Sequence, residues 1–114
     1  MMLTKATVSF SPSALGDIQE MQAWYVEQLV PAIGERFARE IIVKVEALQI
    51  HPDMGRIVPE FGVATLRELI HPPFRIVYRH DGNRVRVVRA WRSERLLQLH
   101  GFKPVYPVFL RGEE

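Results

Sequence analysis

The sequence contains no cysteine among its 114 residues. A disulfide, a thiolate nucleophile and a cysteine-bound metal are therefore excluded. The chain does contain four histidines, His51, His71, His80 and His100. Their contexts are unrelated and their spacing is not that of metal ligands. We therefore expect no metal site.

Long apolar runs are also missing. No stretch approaches the roughly 20 apolar residues that a helix needs to cross a bilayer. The N-terminus lacks the charged segment and apolar core of a signal peptide. With 47% hydrophobic and 25% charged residues, the composition is typical of a globular protein. We expect one cytoplasmic domain with no membrane contact.

Lysine is absent from residues 56–95, where every basic residue is arginine. This segment holds nine arginines and four acidic residues, a net charge of +5, whereas residues 1–55 hold four basic and seven acidic residues, a net charge of −3. The planar guanidinium suits bidentate contacts with carboxylate or phosphate. The segment is either a binding surface for anionic groups or a solvated sheet face protected by charge.

The same segment predicts a β-hairpin. Asp81-Gly82 between alternating strand-like runs is a strong turn signal, and a two-residue loop there places Tyr78 opposite Val85 and Ile76 opposite Val87. Because side chains alternate along a strand, one face is predicted to be core: Phe74, Ile76, Tyr78, Val85 and Val87. The other face is predicted to be a basic, partly apolar surface: Arg75, Val77, Arg79, Arg84, Arg86 and Val88.

The rest of the chain predicts a helical hairpin that packs on this sheet. Residues 5–10 alternate as a short strand, and Ser11-Pro12 is a typical helix start. Two apolar stripes at helical spacing follow and are separated at Pro31, and residues 52–62 form a loop before a strand over residues 63–70. The predicted order is β-α-α-β-β-β, an α+β fold with the N-terminal strand and αα-hairpin on an antiparallel sheet. We expect one domain over residues 1–99 and an extended or partly ordered tail over residues 100–114.

Several motifs in this order resemble the ParE branch of the ParE/RelE toxin superfamily, the toxins of bacterial type II toxin–antitoxin pairs. The resemblance covers roughly residues 7–97. It is carried by FSPSALGDIQEMQAWY, LQIHPDMGRIVPEF and the series LREL, FRIVYRH and VRVVRAWRSER. The family's last strand closes on a motif near His-x-x-Arg, and here Arg92 stands where many relatives have histidine, while Arg95 matches the arginine.

The resemblance implies one of two activities, because ParE-like toxins inhibit DNA gyrase and RelE-like toxins cleave messenger RNA on the ribosome. Cleavage needs a proton acceptor, a proton donor and cations around the phosphate. The residues available to a nuclease are Arg67, Arg75, Arg92, Arg95, His100 and Tyr106. Arginine is a poor general base and Tyr78 is predicted to be core. We therefore favour a non-catalytic gyrase inhibitor, with the endoribonuclease as the alternative and an inert binding module as a third possibility.

The resemblance also implies the partners. We expect a cognate antitoxin in a toxin–antitoxin hetero-oligomer, DNA gyrase as the target, no cofactor and no direct sequence-specific DNA binding. The predicted target- or antitoxin-binding residues are Arg67, Arg75, Arg79, Arg86, Trp91, Arg92 and Arg95. Two alternatives stay open: Arg67 pairs structurally with Glu60 or Glu94, and Trp91 is a core residue rather than an interface anchor.

Overall fold

Two helices pack on one face of a five-stranded sheet in the computed structural model, which describes residues 5–92. The elements are β1 (Thr7–Phe10), α1 (Pro12–Glu27), α2 (Pro31–Glu46), a short 3-10 helix (Ala47–Gln49), β2 (Arg56–Ile57), β3 (Leu66–His71), β4 (Phe74–Asp81) and β5 (Arg84–Arg92). The predicted α+β class is confirmed. The prediction missed β2, which consists of two residues inside the expected loop.

The helical hairpin begins and turns where the sequence predicts. The Ser11 hydroxyl accepts a hydrogen bond from the Ala14 N–H at 3.0 Å, which caps α1, and Pro12 follows it. Pro31 is the first residue of α2, a position where its missing N–H costs no helical hydrogen bond. No helix within residues 5–92 is long and apolar enough to span a membrane.

The sheet is mixed rather than wholly antiparallel. Its strand order is β1-β5-β4-β3-β2, and β1 pairs with β5 in parallel while the other pairs are antiparallel. A parallel pair needs a long crossover connection, and the helices and the three intervening strands supply it. Alternation in the sequence identifies a strand but not the direction of its neighbour, so this pairing was not predictable from periodicity.

The register of the β4–β5 hairpin also corrects the prediction. Asp81 pairs with Arg84, and Tyr78 lies opposite Val87 rather than Val85. The two-residue loop is therefore Gly82-Asn83, with Gly82 at a φ of 59°, a left-handed conformation that glycine adopts without strain. The pairing then shifts between Val77 and Tyr78. Val88 has no partner in β4 at this β-bulge, which reverses the alternation in the rest of β5.

The core lies between the helices and one face of the sheet. From the sheet it contains the five predicted hairpin residues, and the helices supply small and branched side chains. The core cluster is Ala6, Ala14, Ile18, Ala38, Ile41, Val45, Leu48, Leu69, Phe74, Ile76, Tyr78, Val85, Val87 and Ala90. We call this side of the sheet the helix face and the opposite side the second face.

Candidate functional site

A buried carboxylate organises the second face. Glu68 is 1% exposed, and its carboxylate accepts hydrogen bonds from Arg56 at 2.6 Å and from Arg75 at 2.5 Å. The Arg75 guanidinium also reaches both oxygens of Glu60, at 3.0 and 3.1 Å. We call Arg56, Glu60, Glu68 and Arg75 the second-face ion cluster. It joins β2, β3, β4 and the loop before β3.

The contacts within this cluster involve every nitrogen of the Arg75 guanidinium. Partial burial disfavours the charge on its guanidinium, but the hydrogen bonds to Glu60 and Glu68 outweigh that effect and raise the pKa of Arg75. Its Nε and both terminal nitrogens already bond to carboxylates. Arg75 is therefore a permanent cation whose donors are directed into the fold.

Arg67 lies on the helix face, opposite Tyr78, and fastens a loop. Its guanidinium donates to the carbonyl oxygens of Ala64 at 3.1 Å and Gly55 at 3.0 Å, and lies 3.7 Å from the carboxylate of Asp53. The expected structural pairing is thus present, but its partners are the loop backbone and Asp53 rather than Glu60. Glu94, the other expected partner, lies outside the described residues.

The Tyr78 hydroxyl fastens the same loop from the core. It donates to the Pro52 carbonyl at 2.7 Å and accepts from the Gly55 N–H at 3.0 Å. Burial raises the pKa of Tyr78, and the Gly55 hydrogen bond opposes part of that rise. His80 completes the attachment through a 2.7 Å contact between its Nδ1 and Asp53. We call Arg67, Tyr78 and His80, with the loop residues that they hold, the loop anchor.

The last residues of β5 exchange faces because of the bulge at Val88. Arg92 pairs with Phe74 on the helix face, donates to the Tyr25 hydroxyl at 2.9 Å and lies 6.0 Å from the centre of the Trp24 ring. Trp91 pairs with Arg75 on the second face. An unshifted alternation would have placed both the other way round.

Trp91 is buried, with 2% of its surface exposed. The Arg89 guanidinium lies 4.8 Å from the centre of its ring, and the same arginine forms a buried pair with Asp17 of α1 at 2.6 and 2.8 Å. Asp17 also accepts the Ala90 N–H at 2.9 Å. Trp91 is therefore packed as a core residue and is not exposed as an interface anchor.

Two exposed arginines stand side by side across β4 and β5. Arg79 pairs directly with Arg86, and both are exposed. Arg86 donates to the Ser9 hydroxyl at 3.3 Å, and within residues 5–92 no carboxylate forms a salt bridge with either arginine. Arg84 is likewise exposed two pairs further along, opposite Asp81. We call Arg79, Arg84 and Arg86 the arginine strip.

The direct pairing of Arg79 with Arg86 is unfavourable in a sheet. Like charges directly opposite each other on neighbouring strands are destabilising. Asp81 lies opposite Arg84 two pairs away, but no carboxylate of the described residues forms a salt bridge with Arg79 or Arg86. Two guanidinium groups on adjacent strands present ten N–H donors on one surface. A carboxylate or phosphate placed between them would be bound by both forks.

A second basic surface lies on α2. A shallow groove there is lined by Arg36, Arg39, Glu40, Val43, Lys44 and His71. His71 of β3 lies 2.9 Å from the Glu40 carboxylate, and Arg36 lies 3.5 Å from it. The hydrogen bond from His71 lowers the pKa of Glu40, with the charge of Arg36 acting in the same direction.

The structure separates the residues that the sequence grouped together. Arg67 and Arg75 belong to the loop anchor and the ion cluster, Trp91 is packed, and Arg92 contacts α1. Arg79 and Arg86 remain at the surface. Arg95, His100 and Tyr106 lie outside the described residues. Among residues 5–92 no group of three or more His, Asp or Glu side chains is arranged to hold a metal ion.

Sequence reasoning missed several residues that hold this arrangement. Glu68 and His80 were not singled out, and neither were Asp17 and Asp53. A charged residue inside an apolar strand, as in LRELI, was the available signal for Glu68, because a buried carboxylate requires paired donors. Asp17 and Asp53 act across long sequence separations, and nothing in their local sequence indicates their partners.

Comparisons with known proteins place this geometry in context. The family model of the ParE toxin of the type II toxin–antitoxin system parDE matches residues 8–97. A solved chain of the chromosomal ParDE toxin–antitoxin system from P. aeruginosa is 22% identical, with a TM-score of 0.66 over 79% of this chain and 98% of that one.

A chain of the toxin–antitoxin complex RelBE2 from Mycobacterium tuberculosis is 19% identical, with a TM-score of 0.55 over 81% of this chain and 97% of that one. At these identities the likeness to solved structures concerns the fold. The comparison with curated proteins found no match.

Proposed function

We propose that this chain, which belongs to the ParE toxin family of type II toxin–antitoxin systems, acts in the cytoplasm as a non-catalytic inhibitor of DNA gyrase and is neutralised by a cognate antitoxin. The observation that carries the proposal is the family match over residues 8–97. The two solved relatives come from toxin–antitoxin systems, which supports an antitoxin partner here as well.

The engagement of Arg67 and Arg75, two of the candidate nuclease residues, supports inhibition by binding rather than RNA cleavage. A nuclease needs a side chain that accepts a proton near neutral pH. The Tyr78 hydroxyl is bonded to Pro52 and Gly55, and its raised pKa makes it a weaker acid. The guanidinium groups of Arg67 and Arg75 already donate hydrogen bonds within the loop anchor and the ion cluster, respectively. These groups build the scaffold instead of facing a phosphate.

We assign the arginine strip to the antitoxin. The strip is exposed, and neither Arg79 nor Arg86 forms a salt bridge with a carboxylate of residues 5–92, so an acidic segment would relieve the repulsion between these two arginines. Such a segment gains two charge-assisted contacts, each stronger than a neutral hydrogen bond. The resulting complex is a hetero-oligomer in which the antitoxin lies across β4 and β5.

The target is tested with the purified chain in a gyrase supercoiling assay, with cleavage of ribosome-bound messenger RNA measured in parallel. We expect supercoiling to fall with increasing toxin while the message stays intact. Cleaved message with normal supercoiling would reject gyrase and select the endoribonuclease. Neither effect, together with normal growth on expression, would reject the toxin function.

The assignment of the strip is tested by co-expression with the protein encoded beside the toxin gene. The double variant Arg79→Glu/Arg86→Glu is expected to lose neutralisation, because two attractive contacts become repulsive. Arg39→Glu/Lys44→Glu makes the same charge change on α2 and is expected to be neutralised like the unsubstituted chain. Full neutralisation of the strip variant would place the antitoxin elsewhere.

A further inference from the structure

The end of α1 has the hydrogen-bond pattern of a Schellman motif. The Val30 N–H donates to the Tyr25 carbonyl and the Leu29 N–H donates to the Val26 carbonyl, both at 2.9 Å. This motif places its penultimate residue in the left-handed conformation, and glycine is the usual choice there because it has no Cβ. In this chain the position is held by Leu29, with a φ of 65°.

Leucine at this position has two unfavourable features. Its backbone adopts a conformation that costs free energy for any residue with a Cβ. Its side chain is 86% exposed, so burial within the chain does not offset that cost. Glycine would satisfy the same hydrogen bonds without the strain. Neither the turn nor the core explains the leucine.

The surroundings of Leu29 are equally exposed. All seven residues from 26 to 32 are exposed, including Val26 at 55% and Val30 at 40%. Apolar side chains scattered singly over a surface are ordinary, whereas a cluster marks a binding surface. We call residues 26–30 the hairpin tip.

The charged residues in the tip, and those between Ala6 and the tip in the sequence, are all acidic. No lysine, arginine or histidine occurs between Ala6 and Glu35, and Glu27 lies within the tip. Glu20 and Glu35 are also exposed. Three arginines lie nearby in the fold: Arg89 pairs with Asp17 of α1, Arg92 contacts the Tyr25 hydroxyl and the Trp24 ring, and Arg36 of α2 pairs with Glu40. The tip itself is apolar and carries one carboxylate and no cation, in contrast to the arginine strip.

We propose that the hairpin tip is the part of this chain that binds the poisoned target, by inserting Leu29 into an apolar pocket bordered by basic side chains. This inference rests on the proposed function and names the contact surface for it. An enzyme that holds DNA exposes lysine and arginine toward phosphate, so an acidic tip complements gyrase. An acidic antitoxin segment would be repelled by the tip and attracted by the strip, so the two partners use different surfaces.

The test uses the full chain with Leu29→Asn or Leu29→Gly in the gyrase supercoiling assay. Both replacements tolerate the left-handed backbone and remove the apolar side chain. We expect the concentration for half-inhibition to rise about tenfold, as for loss of a central interface residue. We expect an equal or higher Tm, which separates this effect from loss of the fold.

Two matched controls locate the effect. Val43→Asn removes another aliphatic side chain, 65% exposed on α2, and is expected to leave half-inhibition unchanged. Glu27→Lys is expected to weaken inhibition more than Glu46→Lys, which makes the same charge change at the exposed end of α2. Wild-type potency in both Leu29 variants would overturn the proposal, as would equal effects of the two lysine substitutions.

Growth arrest on expression distinguishes failure of this proposal from failure of the proposed target. If the wild-type chain arrests growth but leaves gyrase active, gyrase is rejected and the Leu29 variants are judged by growth. Loss of arrest in soluble Leu29 variants then supports the tip as the target contact, and full arrest overturns it. A wild-type chain without effect on either readout rejects both proposals.

Discussion

Glu68 shows why a buried charge in this fold has to be paired. Removing a carboxylate from water is costly, and the two arginines that contact Glu68 offset the cost only while the cluster is complete. The cluster also joins β2, which is two residues long, to β3, because Arg56 contacts the carboxylate of Glu68, its partner in the strand register.

Glu68→Gln is expected to destabilise the chain by about 3 kcal/mol, because Arg75 then stays in the sheet with one carboxylate fewer. Arg36→Gln breaks an exposed pair with Glu40 and should cost about 0.5 kcal/mol or less. Urea unfolding measures both. A loss for Glu68→Gln no greater than that for Arg36→Gln would contradict a structural role for the cluster.

Gly55 is needed for the close approach of the loop to Tyr78. A Cβ at this position would lie 2.7 Å from the Tyr78 hydroxyl, from Tyr78 Cε1 and from the Glu68 carbonyl oxygen. Gly55→Ala must therefore displace a core ring or a strand, and we expect a loss of about 2 kcal/mol.

Gly16→Ala is the matched control for this substitution. No atom lies within 4 Å of a Cβ at Gly16, and alanine stabilises a helix interior by about 0.5–1 kcal/mol relative to glycine. Thermal unfolding should show Tm shifts of opposite sign for the two variants. A Tm for Gly55→Ala at or above that of the unsubstituted chain would show that the loop adapts.

At the residue scale, sequence reasoning identified core positions better than polar partners. Phe74, Ile76 and Tyr78 are in the core as predicted, because alternation in a strand is a local property. The Arg67 contacts with Asp53 and Gly55 were not predictable, since they depend on where a loop with no periodicity returns to the sheet.

At the scale of elements, one hydrogen bond ties α2 to the edge of the sheet. Glu40 of α2 and His71 of β3 lie 31 positions apart in the chain and 2.9 Å apart in the fold. The pKa of Glu40 is lowered in the folded state. A carboxyl with a depressed folded pKa stabilises the fold above its unfolded pKa and loses that contribution as the pH falls through its folded pKa.

Glu40→Gln should therefore reduce the pH dependence of stability on the acid side. The contribution of Glu40 is complete above its ordinary pKa of 4.5 and declines as the pH falls below that value. The unfolding free energies of the unsubstituted chain and of Glu40→Gln are measured between pH 6 and about pH 3. We expect the difference between them to shrink as the pH falls. Parallel curves over this range would show that Glu40 titrates alike in the folded and unfolded states.

The elements themselves were predictable and their pairing was less so. Helix caps, prolines and apolar stripes are local signals, and they located both helices. Three features were not predicted from the sequence: the two-residue β2, the parallel β1–β5 pair and the bulge at Val88. Each is decided by contacts between distant segments, and the bulge alone reverses the faces of Trp91 and Arg92.

At the scale of the whole molecule, charge is unevenly distributed over the fold. The two helices carry six acidic and three basic residues, whereas strands β2 to β5 carry eight arginines and two acidic residues. The net charge of +2 therefore understates how strongly the strand side attracts anions. Such an asymmetry orients an approaching partner and accelerates association at low salt.

Cation exchange at pH 7 measures this asymmetry directly. Arg79→Gln/Arg86→Gln and Lys5→Gln/Arg39→Gln remove the same charge, so a uniform distribution predicts the same elution salt. We expect the strip variant to elute at lower salt, because adjacent charges on one surface bind a polyanionic matrix together. Equal elution would mean that the strip does not dominate the surface field.

The pairing of β1 with β5 has a consequence for the timing of synthesis. The Ser11 hydroxyl, which caps α1, also donates to the Val88 carbonyl 77 positions away, and β1 takes its partner from residues 84–87. Synthesis delivers residues 84–87 after both helices, so the helical hairpin emerges before the strand that pairs with β1. Contacts between residues so far apart in the sequence slow folding. A chain cut before residue 84 lacks this strand, and we expect it not to reach the toxin fold.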